Sequence, residues 1–175
     1  MRNLLLIASF MLALPLFAQN KTINAAESQV NFTITNAGLE VEGKFTEISG
    51  TVQFDPSNLS SSKFSATVRV SSIDTEIEMR DDHLKSEDYF DVAKYSTMKF
   101  VSTSITGKAG AYKVTGKLTI KDVTETITFP FSTYAKDGAT HLKGTFVIDR
   151  RDYNVGGNSW IMGDDVTVNL DIASK

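Results

Sequence analysis

Apolar side chains recur at every second position over most of this chain. The runs are Val30, Phe32, Ile34; Val52, Phe54; Phe64, Ala66, Val68, Val70; Met98, Phe100; Tyr112, Val114, Gly116, Leu118, Ile120; Ile127, Phe129, Phe131; Leu142, Gly144, Phe146, Ile148; and Val166, Val168, Leu170, Ile172. Thr, Ser, Lys, Asn and Asp fill most positions between them. Successive side chains of a strand point to opposite faces, so this pattern builds strands with one apolar and one wet face. A parallel sheet covered by helices on both sides would read as near-continuous apolar runs instead. The expectation is therefore an all-β, antiparallel chain of about eight strands. Turn residues separate the runs at Asn36-Ala37-Gly38, Asp55-Pro56-Ser57-Asn58, Gly107-Lys108-Ala109-Gly110, Asp137-Gly138 and Gly156-Gly157-Asn158. Asp137-Gly138 is the clearest two-residue hairpin signal. Strands that share one apolar face must hide it by closing into a barrel or pairing into a sandwich, and periodicity does not choose between them.

The first residues read differently. One charge at Arg2, an apolar run from Leu4 to Leu14 and a Pro15-Leu16-Phe17-Ala18 close have the build of a secretory signal peptide, expected to be cut after Ala18. The run is shorter than the roughly 18 residues a membrane span requires. Residues 19–175 are left for one domain, with no transmembrane segment expected once the signal is removed. The formal charge is −3, and loss of Arg2 makes it −4, which argues against a nucleic-acid partner. There is no cysteine, so the core needs to suffice without disulfides, and thiolate nucleophiles and thiolate metal sites are excluded.

Between Ser71 and Tyr95 the alternation stops. Thr75 followed by Glu78 has capping-box spacing, and Glu76 to about Lys85 is rich in helix formers, which predicts one inserted amphipathic helix. Ile77 and Leu84 fall on one side of it, with Met79 and His83 adjacent. Ser86 is placed to cap a second short turn through Phe90.

The same segment carries a resemblance. Ser72-Ile73-Asp74-Thr75, then Arg80-Asp81-Asp82-His83-Leu84-Lys85-Ser86-Glu87-Asp88-Tyr89-Phe90-Asp91-Val92, resembles the signature of the YceI-like family of secreted, lipocalin-like, polyisoprenoid-binding proteins. Supporting stretches flank it in order: Val41-Glu42-Gly43-Lys44-Phe45, Ile48 to Pro56, Tyr112 to Thr124 and Arg150-Arg151-Asp152-Tyr153. The resemblance implies an extended eight-stranded antiparallel lipocalin-like barrel, a lumen for a long isoprenoid tail and no catalytic activity. Two residues depart from the pattern: Asn36, where many members carry histidine, and Asn154, where many carry glycine. The departure at Asn36 bears on the head group a ligand would carry, if that histidine contacts it in relatives, and not on a tail-binding lumen.

The charged segment holds candidates for chemistry. His83 and His141 are the only histidines, neither lies in a G-x-S-x-G or H-E-x-x-H pattern, and His141 beside the Asp137-Gly138 turn is expected to be exposed. No catalytic residue is assigned. His83 and Glu87 share a helix face, with Asp81 and Asp88 nearby, yet two further metal ligands are not in view, so neither metal nor cofactor is expected. The favoured reading is scaffold: Arg80, Asp81, His83, Leu84, Ser86, Asp88 and Phe90 form a structural motif, with Leu84 and Phe90 docking the helix on the barrel. Arg80 and Asp88 are expected to pair with Arg150 and Asp152 across the interface.

The lumen is then the functional candidate. An eight-stranded barrel is either filled by its own side chains or holds one ligand. Gly116, Ala66 and Gly144 at inward positions are read as leaving room, with close-packed corners the alternative reading. The expected ligand-binding residues are Phe32, Ile34, Phe54, Val68, Phe100, Val114, Leu118, Phe129, Phe146 and Leu170, with Trp160 at the mouth. The expected function is a periplasmic, non-enzymatic carrier or store of an isoprenoid lipid, either a polyisoprenoid or an isoprenoid quinone. The alternative is a stress-related interaction module with a solid barrel that binds a protein partner through its charged helix. Assembly into a homodimer stays open.

Overall fold

A computed structural model describes residues 20–108 and 110–175. The expected signal peptide lies outside the described residues. Eleven strands are present: β1 (Lys21–Thr22), β2 (Gln29–Asn36), β3 (Leu39–Phe45), β4 (Ile48–Gln53), β5 (Lys63–Arg69), β6 (Ile73–Asp74), β7 (Thr97–Lys108), β8 (Ala111–Ile120), β9 (Val123–Lys136), β10 (Ala139–Asp149) and β11 (Met162–Ser174). One helix, α1 (Glu78–Lys85), interrupts them. No helix among the described residues is long and apolar enough to cross a membrane.

All strands join one antiparallel sheet in the order β1-β4-β5-β7-β8-β9-β10-β11-β2-β3-β6. The sheet curls until its ends are tied by short pieces. At one end the N-terminal segment bridges β4 to β11: Lys21 pairs with Val52, Ile23 donates to the Gly50 carbonyl at 3.0 Å, and Thr22 and Lys175 exchange backbone bonds. At the other, β6 adds two residues to the free edge of β3, and α1 follows it in the chain and lies against β6. The all-β class with one helix is thus as expected, while the strand count is eleven rather than eight.

β3 was absent from the alternation because Gly43 stands between the inward Val41 and Phe45. A side chain there would meet the ring of Phe32, whose Cζ lies 2.3 Å from where a Cβ would sit. The apolar position is filled, but from the neighbouring strand. The Asp137-Gly138 hairpin forms as expected: Lys136 pairs with Ala139, and both turn residues have positive φ, 51° and 77°.

The start of α1 departs from the capping box. Glu76 is left-handed at φ 65° and the helix begins at Glu78. Thr75 turns to Asp81 instead: its backbone N–H donates to Asp81 Oδ1 at 2.9 Å and its hydroxyl to the same oxygen at 2.5 Å. Ile77 and Met79 are exposed, so the apolar stripe of the helix narrows to Leu84. Ser86 ends α1, its hydroxyl donating to the His83 carbonyl at 2.7 Å, and accepts the Tyr89 N–H at 3.1 Å as the next turn opens.

Candidate ligand-binding cavity

An internal cavity of about 270 Å³ runs along the barrel, with an almost wholly apolar wall. On β10 its lining extends from Leu142 to Ile148, about 20 Å at roughly 3.3 Å per residue. The empty space is not spread evenly. Val52, Ile105, Tyr112, Val114, Phe129, Phe131 and Leu142 pack into one buried cluster, and Ile120, Tyr153 and Val155 into another. Phe32, Ile34, Val41, Leu84, Met162, Val166 and Val168 line the cavity without joining any packed cluster. These loosely packed lining residues stand on β2, β3, β11 and α1.

Phenylalanine rings would ordinarily cross so narrow a bore. Here three lie over glycines on neighbouring strands: Phe32 over Gly43, Phe100 over Gly116, where a Cβ would come within 2.4 Å of the ring, and Phe129 beside Gly144, at 3.3 Å. This is the aromatic cover of a strand glycine, which flattens the ring against the sheet. The room that Gly116 and Gly144 are expected to leave is occupied by these rings.

Of the expected lining residues, Phe32, Ile34, Val68, Phe100, Val114, Leu118, Phe129, Phe146 and Leu170 face the cavity. Two do not. Phe54, at the end of β4, packs against Phe64, Tyr112 and Phe131 with centroids 5.0–6.1 Å apart and helps seal one end. Trp160 is fully exposed beside Ile161 and forms no part of the wall. Sequence reading missed Val41 and Phe45, because β3 was missed, and also Tyr89, Met98 and Met162, which stand outside the alternating runs or at their margins.

The charged motif divides into two separate clamps. Arg80 donates from Nε to the Thr75 hydroxyl at 2.8 Å and from Nη2 to the Thr75 carbonyl at 2.5 Å. Asp81, buried, receives Thr75 from the other side. Arg150, 4% exposed, donates to the carbonyls of Gly163, Val155 and Gly157 and to Asp164 Oδ1, all at 2.9–3.0 Å. The expected pairing of Arg80 and Asp88 with Arg150 and Asp152 does not form. Each arginine makes its hydrogen bonds within its own neighbourhood, and the carboxylates of Asp88 and Asp152 stay exposed. The two regions meet through backbone instead, where Gly156 N–H donates to the Asp88 carbonyl at 3.1 Å. His83 is exposed and sets its ring edge-on to Tyr89 at 4.8 Å, while Leu84 and Phe90 line the cavity. Asn154 sits at φ 55°, a left-handed position open to glycine and tolerated by asparagine. Asn36 reaches the cavity wall.

Burial adjusts one phenol in this region. Tyr153, 1% exposed, has its pKa pushed up to about 12, chiefly because burial disfavours the phenolate, with Glu125 and Asp152 adding repulsion.

His141 was expected to be exposed and is buried at 4% exposure on the outer face of the sheet. Its Nδ1 lies 2.8 Å from Asp171 Oδ1, and Tyr134 stacks on the ring at 4.7 Å while donating to Asp171 Oδ2 at 2.6 Å. The bond to Asp171 raises the Tyr134 pKa. Nε2 is enclosed and has no hydrogen-bond partner among the described residues, so the dyad presents no base to a substrate. Among the described residues no group of three or more His, Cys, Asp or Glu side chains is placed to hold a metal ion.

Comparison with known proteins agrees with this architecture. Burkholderia cenocepacia BcnA superposes with a TM-score of 0.82 at 30% identity, covering 87% of this chain and 99% of that one. A polyisoprenoid binding domain from Saccharophagus degradans shares the fold at a TM-score of 0.71 and 15% identity, over 89% of this chain and 97% of that domain. A UPF0312 protein of Vibrio parahaemolyticus is 37% identical over 123 residues, which is 67% of this chain and 65% of that protein. Protein YceI of Salmonella arizonae is 37% identical over 100 residues, 57% of this chain and 52% of that protein. The chain thus spans between about half and two thirds of the length of these curated relatives. Residues 22–174, nearly all that the structure describes, match the YceI-like domain, and the chain belongs to that family.

Proposed function

We propose that this protein is a non-enzymatic binding protein that carries or stores an isoprenoid lipid, a polyisoprenoid or an isoprenoid quinone, in its barrel. The observation that carries the reading is the long, almost wholly apolar cavity held open by rings laid over glycines. Each buried methylene of a ligand contributes about 0.8 kcal/mol, so a dozen would offset the several kcal/mol lost on association. The Saccharophagus degradans domain of the same fold, described as polyisoprenoid binding, supports the assignment. The leader-like residues 4–18 support export to the periplasm. The apolar cavity weighs against the competing reading, a partner-binding module with a solid barrel.

The test is to purify the protein from its own compartment without detergent, extract it with organic solvent and identify the extract by mass spectrometry. A near-stoichiometric isoprenoid is expected. An extract that stays empty after incubation with quinones and polyprenols would reject the proposal.

A further inference from the structure

The carboxylates of this chain are unevenly placed. It has 21 Asp and Glu residues, and none of them stands on β5, β7 or β8, three neighbouring strands of the sheet. The same strands carry Lys63, Arg69, Lys99, Lys108, Lys113 and Lys117, all exposed. The alternation of the strands turns them outward: Lys63 precedes the inward Phe64, Lys99 lies between Met98 and Phe100, and Lys113 and Lys117 flank the buried Val114 and Gly116. One outer wall of the barrel is therefore cationic, in a chain whose formal net charge is −3.

Of these six side chains, Arg69 has a counter-ion, Glu47, at 2.8 Å. The five lysines have no carboxylate within ion-pair distance and donate no side-chain hydrogen bond, among the described residues. Their cross-strand neighbours are mostly threonines: Thr67 and Thr119 on either side of Lys99, Thr126 beside Lys117 and Thr106 beside Lys113. Thr119 bonds to Thr124 and Thr115 to Thr128, each at 2.8 Å, so these hydroxyls are used between strands. What the wall offers outward is ammonium groups. From Lys99 to Lys108 they spread along about 30 Å of β7, at roughly 3.3 Å per residue.

We propose that this wall is a docking surface for a bilayer that bears anionic head groups. The proposal concerns where the protein sits and does not depend on what the barrel holds. An anionic membrane attracts each lysine held near its surface, and the contributions of several lysines add. At about 0.1 M salt the Debye length is about 10 Å, so carboxylates on the far side of the barrel are screened from a surface that the lysines touch. Flexible four-carbon stems let ammonium groups on a curved wall reach a flat plane. A specific protein partner requires a different face, since protein interfaces are depleted of lysine and anchored by buried aromatic or arginine side chains. Here the arginine is held by Glu47, and the large apolar side chain exposed on these strands is Val101 rather than an aromatic one. Platforms for stacking nucleic-acid bases are missing for the same reason.

The experiment co-sediments the mature protein with two kinds of vesicle, phosphatidylcholine alone and phosphatidylcholine with about one quarter phosphatidylglycerol, at about 0.1 M salt and at about 1 M salt, where the Debye length is about 3 Å. At the lower salt the vesicles containing phosphatidylglycerol are expected to bind at least about 10-fold more tightly, and high salt is expected to abolish the difference. Replacing Lys99→Gln, Lys113→Gln and Lys117→Gln together should weaken that binding about 100-fold, at roughly 5-fold per lysine. A second variant with Lys44→Gln, Lys143→Gln and Lys175→Gln loses the same charge from exposed positions outside this wall, and is expected to stay within about 5-fold of the wild-type protein. Circular dichroism checks that both variants keep the fold. Binding that does not distinguish the two vesicles would overturn the proposal, and so would equal losses in the two variants, which would assign the attraction to total charge rather than to this wall. No binding to either vesicle would overturn it as well, and would leave an acidic protein as the occupant of the face.

Discussion

At the end of the barrel where β8 begins, Phe54, Phe64, Tyr112 and Phe131 close ring on ring, with centroids 5.0–6.1 Å apart and Val52, Ile105 and Leu142 buried around them. At the end where β8 finishes, the loops and α1 are held by hydrogen bonds with backbone on at least one side: Arg150 to three carbonyls, Arg80 to the Thr75 carbonyl, the Thr75 N–H to the Asp81 carboxylate, and the Gly156 N–H to the Asp88 carbonyl. Interlocking side chains fill the space they stabilise. Directional bonds between a rim and its own loops hold the rim without filling what it surrounds. The packed end is therefore a plug, and the clamped end is where a bore can stay hollow.

Truncating a side chain should be costly in the plug and mild along the hollow wall, and this contrast is the largest effect expected. Tyr112→Ala removes a buried ring outside the cavity lining and is expected to cost about 3–5 kcal/mol, as other buried aromatic truncations do. Ile34→Ala enlarges a space already empty and should cost under about 1.5 kcal/mol. Urea denaturation of the two variants decides it. Equal losses would mean that the wall is packed after all. Next in size, Arg150→Met strands buried carbonyls and Asp164 together, with an expected loss of about 3 kcal/mol. The same measurement on Arg80→Met should give a smaller loss, because only Thr75 is released. If Arg80→Met proves as damaging as Arg150→Met, the two clamps are not different in kind.

A third prediction separates stability from binding. In Gly43→Ala the three atoms nearest the new methyl all belong to the ring of Phe32, which can swing away from the sheet and into the bore. The fold should lose no more than about 1 kcal/mol, the low end of what overpacking costs, while uptake of a polyprenol falls several-fold. Thermal melting beside a ligand titration tests this, and an unchanged titration would show that the flattened rings do not keep the bore clear.

How far the sequence discloses each end follows from the same difference. The alternating runs determine the strands, and nine of the eleven residues expected at the cavity do line it, since inward alternation is a local property. Phe54 obeys the alternation and still misses the cavity, because position along the bore depends on how strands stagger in the closed sheet. β3 stayed hidden because its central inward residue is supplied by Phe32 of β2. His141 looked exposed beside a turn, but Asp171 and Tyr134, brought to it across β11 and β9, bury it on the outer face. The pairing of the motif charges was not legible, since Arg80 bonds to Thr75 and Arg150 to its own following loop and Asp164 in place of Asp152 and Asp88. Clamps of this kind depend on loop conformations, such as the left-handed Glu76 and Asn154, that no periodicity records.

The smallest effect expected is a pH dependence confined to the clamped end. Tyr153 packs with Ile120 and Val155 there, and burial raises its pKa from the usual 10 to about 12. In the unfolded chain the phenol titrates near its ordinary value of about 10. Below that pH both states hold the proton and stability is unaffected. Between about 10 and 12 the unfolded state releases the proton and the folded state retains it, so unfolding becomes more favourable as pH rises. The slope is at most about 1.4 kcal/mol per pH unit, because a single proton is involved. Lysines and other tyrosines titrate in the same range, so the discriminating measurement is the difference between the wild-type protein and Tyr153→Phe in urea midpoints from pH 9 to 12. The phenylalanine variant should lose less stability across that interval, with the two curves parallel below pH 10. Curves parallel throughout would mean that the phenol is not enclosed, and that the clamped end is looser around Tyr153 than its contacts with Ile120 and Val155 require.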